Sequence, residues 1–271
     1  MTSPNDPSFG SSSRRPTSFD EWLQAAKEQA TFFTGLKLDV GLPRWQLADV
    51  LPVLPFIGAG IGLAAGLVFA IVRGIAGPGW LAAVLAVGAA VLITRALHED
   101  GLADTADGLG PHALEPARRL EIMRDSRNGT LGVLALALSV LIKVACLAQF
   151  GGATGLVVLI SAHAVSRAVL AYPPLAYSPI HTDGLGAQAG KPTDNDVWLT
   201  IALGAVLAFL LLLGKGFFVA LLTPLIAIGA GICAARWIAK RLGGYTGDTL
   251  GAVQQKAEIA FLVVAALLIG R

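Results

Sequence analysis

Charge is scarce in this chain: Asp, Glu, Lys and Arg make up 14% of the 271 residues, against about 25% in ordinary soluble domains. Sulfur and aromatic rings are also scarce, with two cysteines, two methionines and 7% Phe, Trp and Tyr. Cys146 and Cys233 each lie inside a long apolar run without a CxxC partner or a His-rich neighbourhood. That pattern argues against a zinc site or a disulfide framework and leaves both as small buried hydrophobes. The net charge of +2 gives no support to nucleic-acid binding. What the chain has instead is apolar surface. Hydrophobic residues reach 55% and the mean hydropathy is +0.68, the composition of an integral membrane protein.

The apolar residues are not evenly spread. Residues 1–18 are rich in Ser, Pro, Asn and Arg and predict a disordered tail. No signal peptide is expected, because the first long apolar run begins only near residue 52. Phe19, Trp22, Leu23, Ala26, Ala30 and Phe33 recur at helical spacing, with charged residues between them. This predicts an amphipathic helix, lying on the membrane surface or packed on the protein. Seven segments of spanning length follow, near 53–72, 80–97, 130–150, 153–171, 197–213, 217–236 and 249–270. The expected fold is therefore all-α: a polytopic membrane helical bundle of about seven transmembrane helices, with residues 19–271 as one membrane-embedded catalytic domain.

Basic residues orient the bundle. With the N-terminus inside, Arg14, Arg15, Lys27, Lys37, Arg44, Arg118, Arg119, Arg124, Arg127, Lys191, Lys240 and Arg241 all face the cytoplasm. The other side keeps little more than Arg73, Lys215 and Arg271. The positive-inside rule then predicts a multi-pass protein of the inner (cytoplasmic) membrane, N-terminus in and C-terminus out.

Against this background one stretch stands out: His98-Glu99-Asp100-Gly101-Leu102-Ala103-Asp104-Thr105-Ala106-Asp107-Gly108-Leu109. Asp100, Asp104 and Asp107 stand at i, i+4 and i+7, which on a helix confines them to an arc of roughly 60°. Like charges so placed repel, and a hard divalent cation that bridges to substrate phosphates would relieve them. The bland alternative is a solvated acidic helix start. The same loop ends in Arg118-Arg119-Leu120-Glu121-Ile122-Met123-Arg124-Asp125-Ser126-Arg127-Asn128-Gly129-Thr130. Arg118 and Arg119 suit positive-inside anchoring. Arg124, Asp125, Ser126 and Arg127 stand just before a helix N-terminus, where guanidinium groups and unpaired N–H groups together suit an anion.

A third block, Gly243-Gly244-Tyr245-Thr246-Gly247-Asp248-Thr249-Leu250-Gly251-Ala252, delivers Asp248 to the start of the last helix. Asp248 is either an ordinary cap or an opposing metal ligand. Gln255 and Glu258 follow on that helix, and Glu258 lies about 15 Å into the membrane, where an ionisable group needs a partner or a cavity. Arg95 and Arg167 sit near helix ends and suit snorkelling or phosphate binding. Lys143 and His163 lie deeper, as partners or satisfied polar groups. His181 and Asp183 fall in a Pro/Gly-rich loop and are candidates to join the site, although a lone histidine in such a loop is more often structural or solvated.

These three blocks resemble those of cobalamin synthase, the adenosylcobinamide-GDP ribazoletransferase family. The blocks at 98–109, 119–129 and 244–252 occur in the family's order, and the hydropathy layout is similar over roughly residues 30–271. The resemblance implies a Mg²⁺-dependent phosphotransfer in which α-ribazole, or its 5′-phosphate, attacks the cobinamide phosphate of adenosylcobinamide-GDP and GMP leaves. It implies Asp100, Asp104 and Asp107 as metal ligands and catalytic groups, one of them, such as Asp104, serving as general base. Arg124, Asp125, Ser126, Arg127 and Asp248 would bind substrate, with the lipid bilayer as environment and a homo-oligomer compatible with the layout. Two other readings fit the composition. A CDP-alcohol phosphotransferase of lipid synthesis also clusters aspartates, but its Ala-Arg element does not follow Asp100-Gly101. An ion-coupled membrane transporter would use Lys143, Arg167 and Glu258, yet here the densest polar groups gather at one face.

Overall fold

The computed structural model describes residues 15–41, 44–110, 114–125, 127–181 and 189–270. Ser18 opens α1 (Phe19–Phe33) through a capping box: its hydroxyl accepts the Glu21 N–H while the Glu21 carboxylate reaches back. The limits match the predicted amphipathic helix, but its inward face is partly polar. Glu28 and Gln29 are buried, and Glu28 accepts the Arg44 N–H from across the following loop. Phe19 and Leu23 are exposed on the outward face together with Asp20 and Lys27, a mixed apolar and charged surface. Of the tail expected at 1–18, residues 1–14 lie outside the described residues; Arg15 pairs with Asp196.

The chain continues through α2 (Leu54–Gly74), α3 (Gly79–Thr94), α4 (Leu97–Leu109), α5 (Pro116–Met123), α6 (Thr130–Leu147) and α7 (Gly152–Ala168). Then come the short α8 (Tyr172–Ala176), α9 (Asp194–Leu212), α10 (Phe217–Leu242) and α11 (Gly247–Ile269). Among the described residues six stretches are long and apolar enough to span: Leu51–Gly74, Thr130–Leu147, Gly152–Ala176, Asp194–Lys215, Phe217–Leu242 and Gly247–Ile269. The seventh predicted span is α3, and it ends earlier than the expected residue 97. There the chain turns by 90° into α4.

That turn is strained. Arg95 and Ala96 take left-handed conformations at φ 52° and 55°, which cost L-residues roughly 1–2 kcal/mol each. The end of α1 holds the joint: Arg95 donates to the Thr34 carbonyl at 2.9 Å, and the Gly35 N–H donates to the Ile93 carbonyl at 2.7 Å. Arg95 thereby ties the joint to the end of α1 through one guanidinium nitrogen, while the residue itself stays exposed. The bend lays α4 across the starts of α11 and α6. At the α4–α11 crossing the backbones touch, because Gly101 faces the Asp248 carbonyl and Gly251 faces His98. A Cβ at Gly101 would collide with that carbonyl. Gly58, Gly62 and Gly66 play the same part for α2 against α7, a small-residue stripe at four-residue spacing.

Beneath α4 lies a buried ion cluster. Lys143 of α6 approaches Glu258 of α11 at 2.7 Å and Glu99 of α4 at 3.5 Å. Gln254 donates to Glu258 and Gln255 to Glu99. Arg167 of α7, with 1% of its surface exposed, donates to His163 Nδ1 at 2.9 Å, and that ring lies 3.4 Å from Glu258. The two cations and two carboxylates cancel. Full burial of Arg167 overturns the expectation that it snorkels. Its length is spent inward, on the His163–Glu258 side of the bundle.

Removing one member leaves an uncompensated charge in an apolar interior. Lys143→Met should therefore cost about 3–5 kcal/mol in reversible unfolding in mixed micelles. The double variant Lys143→Met/Glu258→Gln, which keeps the cluster neutral, should recover most of that loss. Equal losses in the two variants would show that the pairing is not what stabilises the bundle.

Candidate active site

The site forms where four segments meet at one end of the bundle: α4, the start of α6, the turn leading into α11, and the extended strip after α8. The strip is tied to the turn by a parallel bridge between Pro179 and Tyr245. The Ile180 N–H donates to the Tyr245 carbonyl at 3.0 Å and the Tyr245 N–H to the Ser178 carbonyl at 3.2 Å. This strap explains how a Pro-rich loop brings a histidine to the site. His181, which follows it, accepts from the Arg124 guanidinium at 3.1 Å. His181 is also close enough to Asp248 to bear on its charge.

On α4 the three aspartates share a face, as their spacing predicts, but their surroundings differ. Asp100 is exposed, while Asp104 and Asp107 are half-buried. Asp107 accepts from the Gly129 N–H at 2.7 Å and the Gly132 N–H at 2.8 Å. Both are donors that the N-terminus of α6 would otherwise leave unpaired. Asp107 thus caps α6 from another helix, and this changes the expected anion site. The backbone half of that site is filled by a carboxylate, leaving the arginine side chains to bind any phosphate.

Asp248 is not the cap of α11. Thr246 fills that role, accepting the Thr249 N–H at 3.3 Å in a reciprocal box. Asp248 is left half-buried beside the α4 aspartates. Burial first, then the charges of Asp100, Asp248 and Asp107, push the Asp104 carboxyl up to about 6. Among the described residues no cation pairs with any of these four carboxylates, and no three His, Cys, Asp or Glu side chains are already drawn into ligating geometry. The donor set is all carboxylate oxygen, carries up to four negative charges and lacks a counter-ion. It fits a hard divalent cation with water or phosphate completing its shell.

The arginine block is arranged more loosely. Arg127 donates to Asp125 from its side chain at 2.7 and 3.1 Å and from its backbone at 3.1 Å. These bonds hold the exposed Asp125 carboxyl down to about 2. Arg119 is turned inward, donating to the Gly108 and Leu114 carbonyls, so it ties down the end of α4. Ser126 and Asp183 lie outside the described residues. Glu99 and Gln255 join the site from below, as parts of the buried cluster. Sequence spacing could not assign Glu99 there, because its partner Lys143 is 44 positions away.

A polytopic helical bundle that gathers four carboxylates and exposed guanidinium groups at one end has the build of an integral-membrane enzyme. Comparison with known proteins gives the particular family. The profile described as cobalamin-5-phosphate synthase (CobS) matches residues 26–266. The chain is 43% identical over 218 residues to an adenosylcobinamide-GDP ribazoletransferase of Allorhizobium ampelinum, covering 79% of this chain and 83% of that one. It is 45% identical to the protein of the same name from Bradyrhizobium diazoefficiens, over 79% and 81% of the two chains. A Mesorhizobium japonicum relative of that name is 42% identical over 87% and 90%. No solved structure matches the chain significantly. The chain belongs to the CobS family.

If Asp107 caps α6, its loss should be felt in stability as well as chemistry. Asp107→Ala should lower the unfolding free energy by about 1–2 kcal/mol, the usual effect of a lost cap. Asp100→Ala, which breaks no hydrogen bond, should leave it unchanged or slightly raised. Thermal unfolding of the two purified variants side by side separates the roles.

Proposed function

We infer that this protein is an adenosylcobinamide-GDP ribazoletransferase of late cobalamin synthesis. In the reaction, a hydroxyl of α-ribazole, or of its 5′-phosphate, forms a new bond to the phosphorus that carries the cobinamide arm. The anhydride bond to the second phosphorus breaks, and GMP departs with the bridging oxygen. The observation that carries this reading is the meeting of Asp100, Asp104 and Asp107 with Asp248 beside Arg124 and His181, in a chain of this family.

Asp100, Asp104, Asp107 and Asp248 would hold Mg²⁺. The bound cation supplies charge neutralisation for the diphosphate, which the protein's own carboxylates would otherwise repel. Arg124, steadied by His181, and Arg127, released from Asp125, clamp the phosphate oxygens. The proton of the attacking hydroxyl passes to the carboxylate cluster, in which Asp104 is held near 6 by burial and like charge. The distribution of basic residues supports a cytoplasmic location for this end of the bundle and the inner membrane for the protein.

Purified protein in a bilayer, given adenosylcobinamide-GDP, α-ribazole and Mg²⁺, should release GMP and a completed corrinoid. Chelation should abolish turnover and added Mg²⁺ restore it. Failure to release GMP with any divalent metal refutes the assignment. Asp104→Asn should lower kcat by on the order of 10²–10⁴ with insertion and folding retained. For topology, Glu115→Cys in a background lacking Cys146 and Cys233 should react with an impermeant thiol reagent only from the cytoplasmic side. Labelling from the other side would reverse the orientation.

A further inference from the structure

Behind α4, on the side away from the aspartates, lies a cavity of about 550 Å³. Its α4 wall is Leu102, Thr105, Ala106 and Leu109, which at 100° per residue centre about half a turn from Asp100, Asp104 and Asp107. The cavity is therefore separated from the carboxylates by the thickness of a helix. α10 and α11 form the opposite wall, contributing Trp237, Arg241 and Lys256.

Three observations point to an occupant. Thr105 is buried, with 5% of its surface exposed, yet its hydroxyl has no partner. A buried helical threonine normally bonds the carbonyl one turn back, so an unbonded one facing a cavity is an orphan donor. Lys256 is exposed on a spanning helix, roughly 13 Å along from the start of α11, with no carboxylate partner among the described residues. Arg241 stacks on the Trp237 ring at 3.8 Å and, among the described residues, donates only to the Trp237 carbonyl. Of the three cations lining this mostly apolar cavity, Arg119 already donates to the Gly108 and Leu114 carbonyls, which leaves Arg241 and Lys256 at its rim, at the depth where lysine side chains reach towards headgroups and tryptophan sits at the interface.

A soluble anion accounts for the cations but not for apolar walls, which give it no partner and cost it water. An amphiphile accounts for both. We propose that this cavity binds an anionic phospholipid, with Arg241 and Lys256 on its phosphate, the Thr105 hydroxyl on a glycerol-ester oxygen, and the upper acyl chain against Leu102 and Leu109. The mouth is continuous with the exposed leucines of α6, because Gly110 lines the cavity and touches Leu131, which is 42% exposed. The bound lipid supports α4 from behind, opposite the face that carries the aspartates.

The test uses the full chain, delipidated in neutral detergent and placed in nanodiscs of phosphatidylcholine with a minor share of phosphatidylglycerol. Native mass spectrometry then reads the lipid retained by the released protein. The wild type should keep phosphatidylglycerol in preference to phosphatidylcholine. Arg241→Gln/Lys256→Gln should lower that preference roughly 30-fold, at about fivefold per cation near a membrane surface. Lys256→Arg should retain it. Thr105→Val should weaken retention while leaving the lipid-free protein as stable as the wild type or more so, which a packing role for Thr105 would not do. Should the double variant fail to fold, Lys256→Gln alone should still lose about fivefold. Unchanged phosphatidylglycerol retention in these variants overturns the proposal. So does displacement of the lipid by α-ribazole 5′-phosphate with a raised KM for that compound in Lys256→Gln, which would make the cavity a substrate site.

Discussion

The site depends on how α4 is held, and the contact that holds it from below is Lys143. Its ammonium reaches Glu258 and Glu99, joining α6, α11 and the first turn of α4 through one cation. In an apolar interior such a cluster is stable only if every charge has its counterpart, because each unpaired ion carries a penalty of several kcal/mol. The neutral count of Lys143 and Arg167 against Glu99 and Glu258 satisfies that condition. Glu99 precedes Asp100 directly, so the ion that anchors the helix also sets the direction in which the aspartates leave it.

Other devices constrain the same helix. The left-handed pair Arg95-Ala96 turns the chain sharply enough for α4 to lie across its neighbours. The Gly101–Gly251 crossing lets its backbone reach that of α11, which brings Asp248 beside the α4 carboxylates. Asp107 bonds the first N–H groups of α6, and Arg119 bonds the Gly108 carbonyl at the far end of α4. Strain at the hinge is offset by contacts at both ends of a thirteen-residue helix. The result is four carboxylates in one place, an arrangement whose self-repulsion a cation would relieve. Storing repulsion at a binding site makes the site selective for what relieves it.

The face of α4 turned away from the aspartates is as particular as the acidic one. Leu102, Thr105, Ala106 and Leu109 look into an apolar cavity rimmed by Arg241 and Lys256. A helix between an acidic face and an apolar, cation-rimmed one belongs at the boundary of water and lipid. This suits a protein whose proposed substrates come from the cytosol while its scaffold lies in the bilayer.

Much of this was determined by the sequence alone. The seven apolar runs specified the spans, because a bilayer allows only helices that satisfy their own backbone. The i, i+4, i+7 aspartates specified a shared acidic face, because helical periodicity is local. The apolar spacing placed α1 within its observed limits, and the Ser18 cap emerged with the structure. Tertiary structure decided which groups were free to act. Asp107 and Arg95 found backbone partners, Thr246 rather than Asp248 became the cap, and Arg167 turned inward. His181, unremarkable in its loop, was carried to Arg124 by the Pro179–Tyr245 strap. Each of these outcomes rests on a contact between residues distant in sequence, and no local periodicity or propensity encodes which orphan N–H a carboxylate will meet.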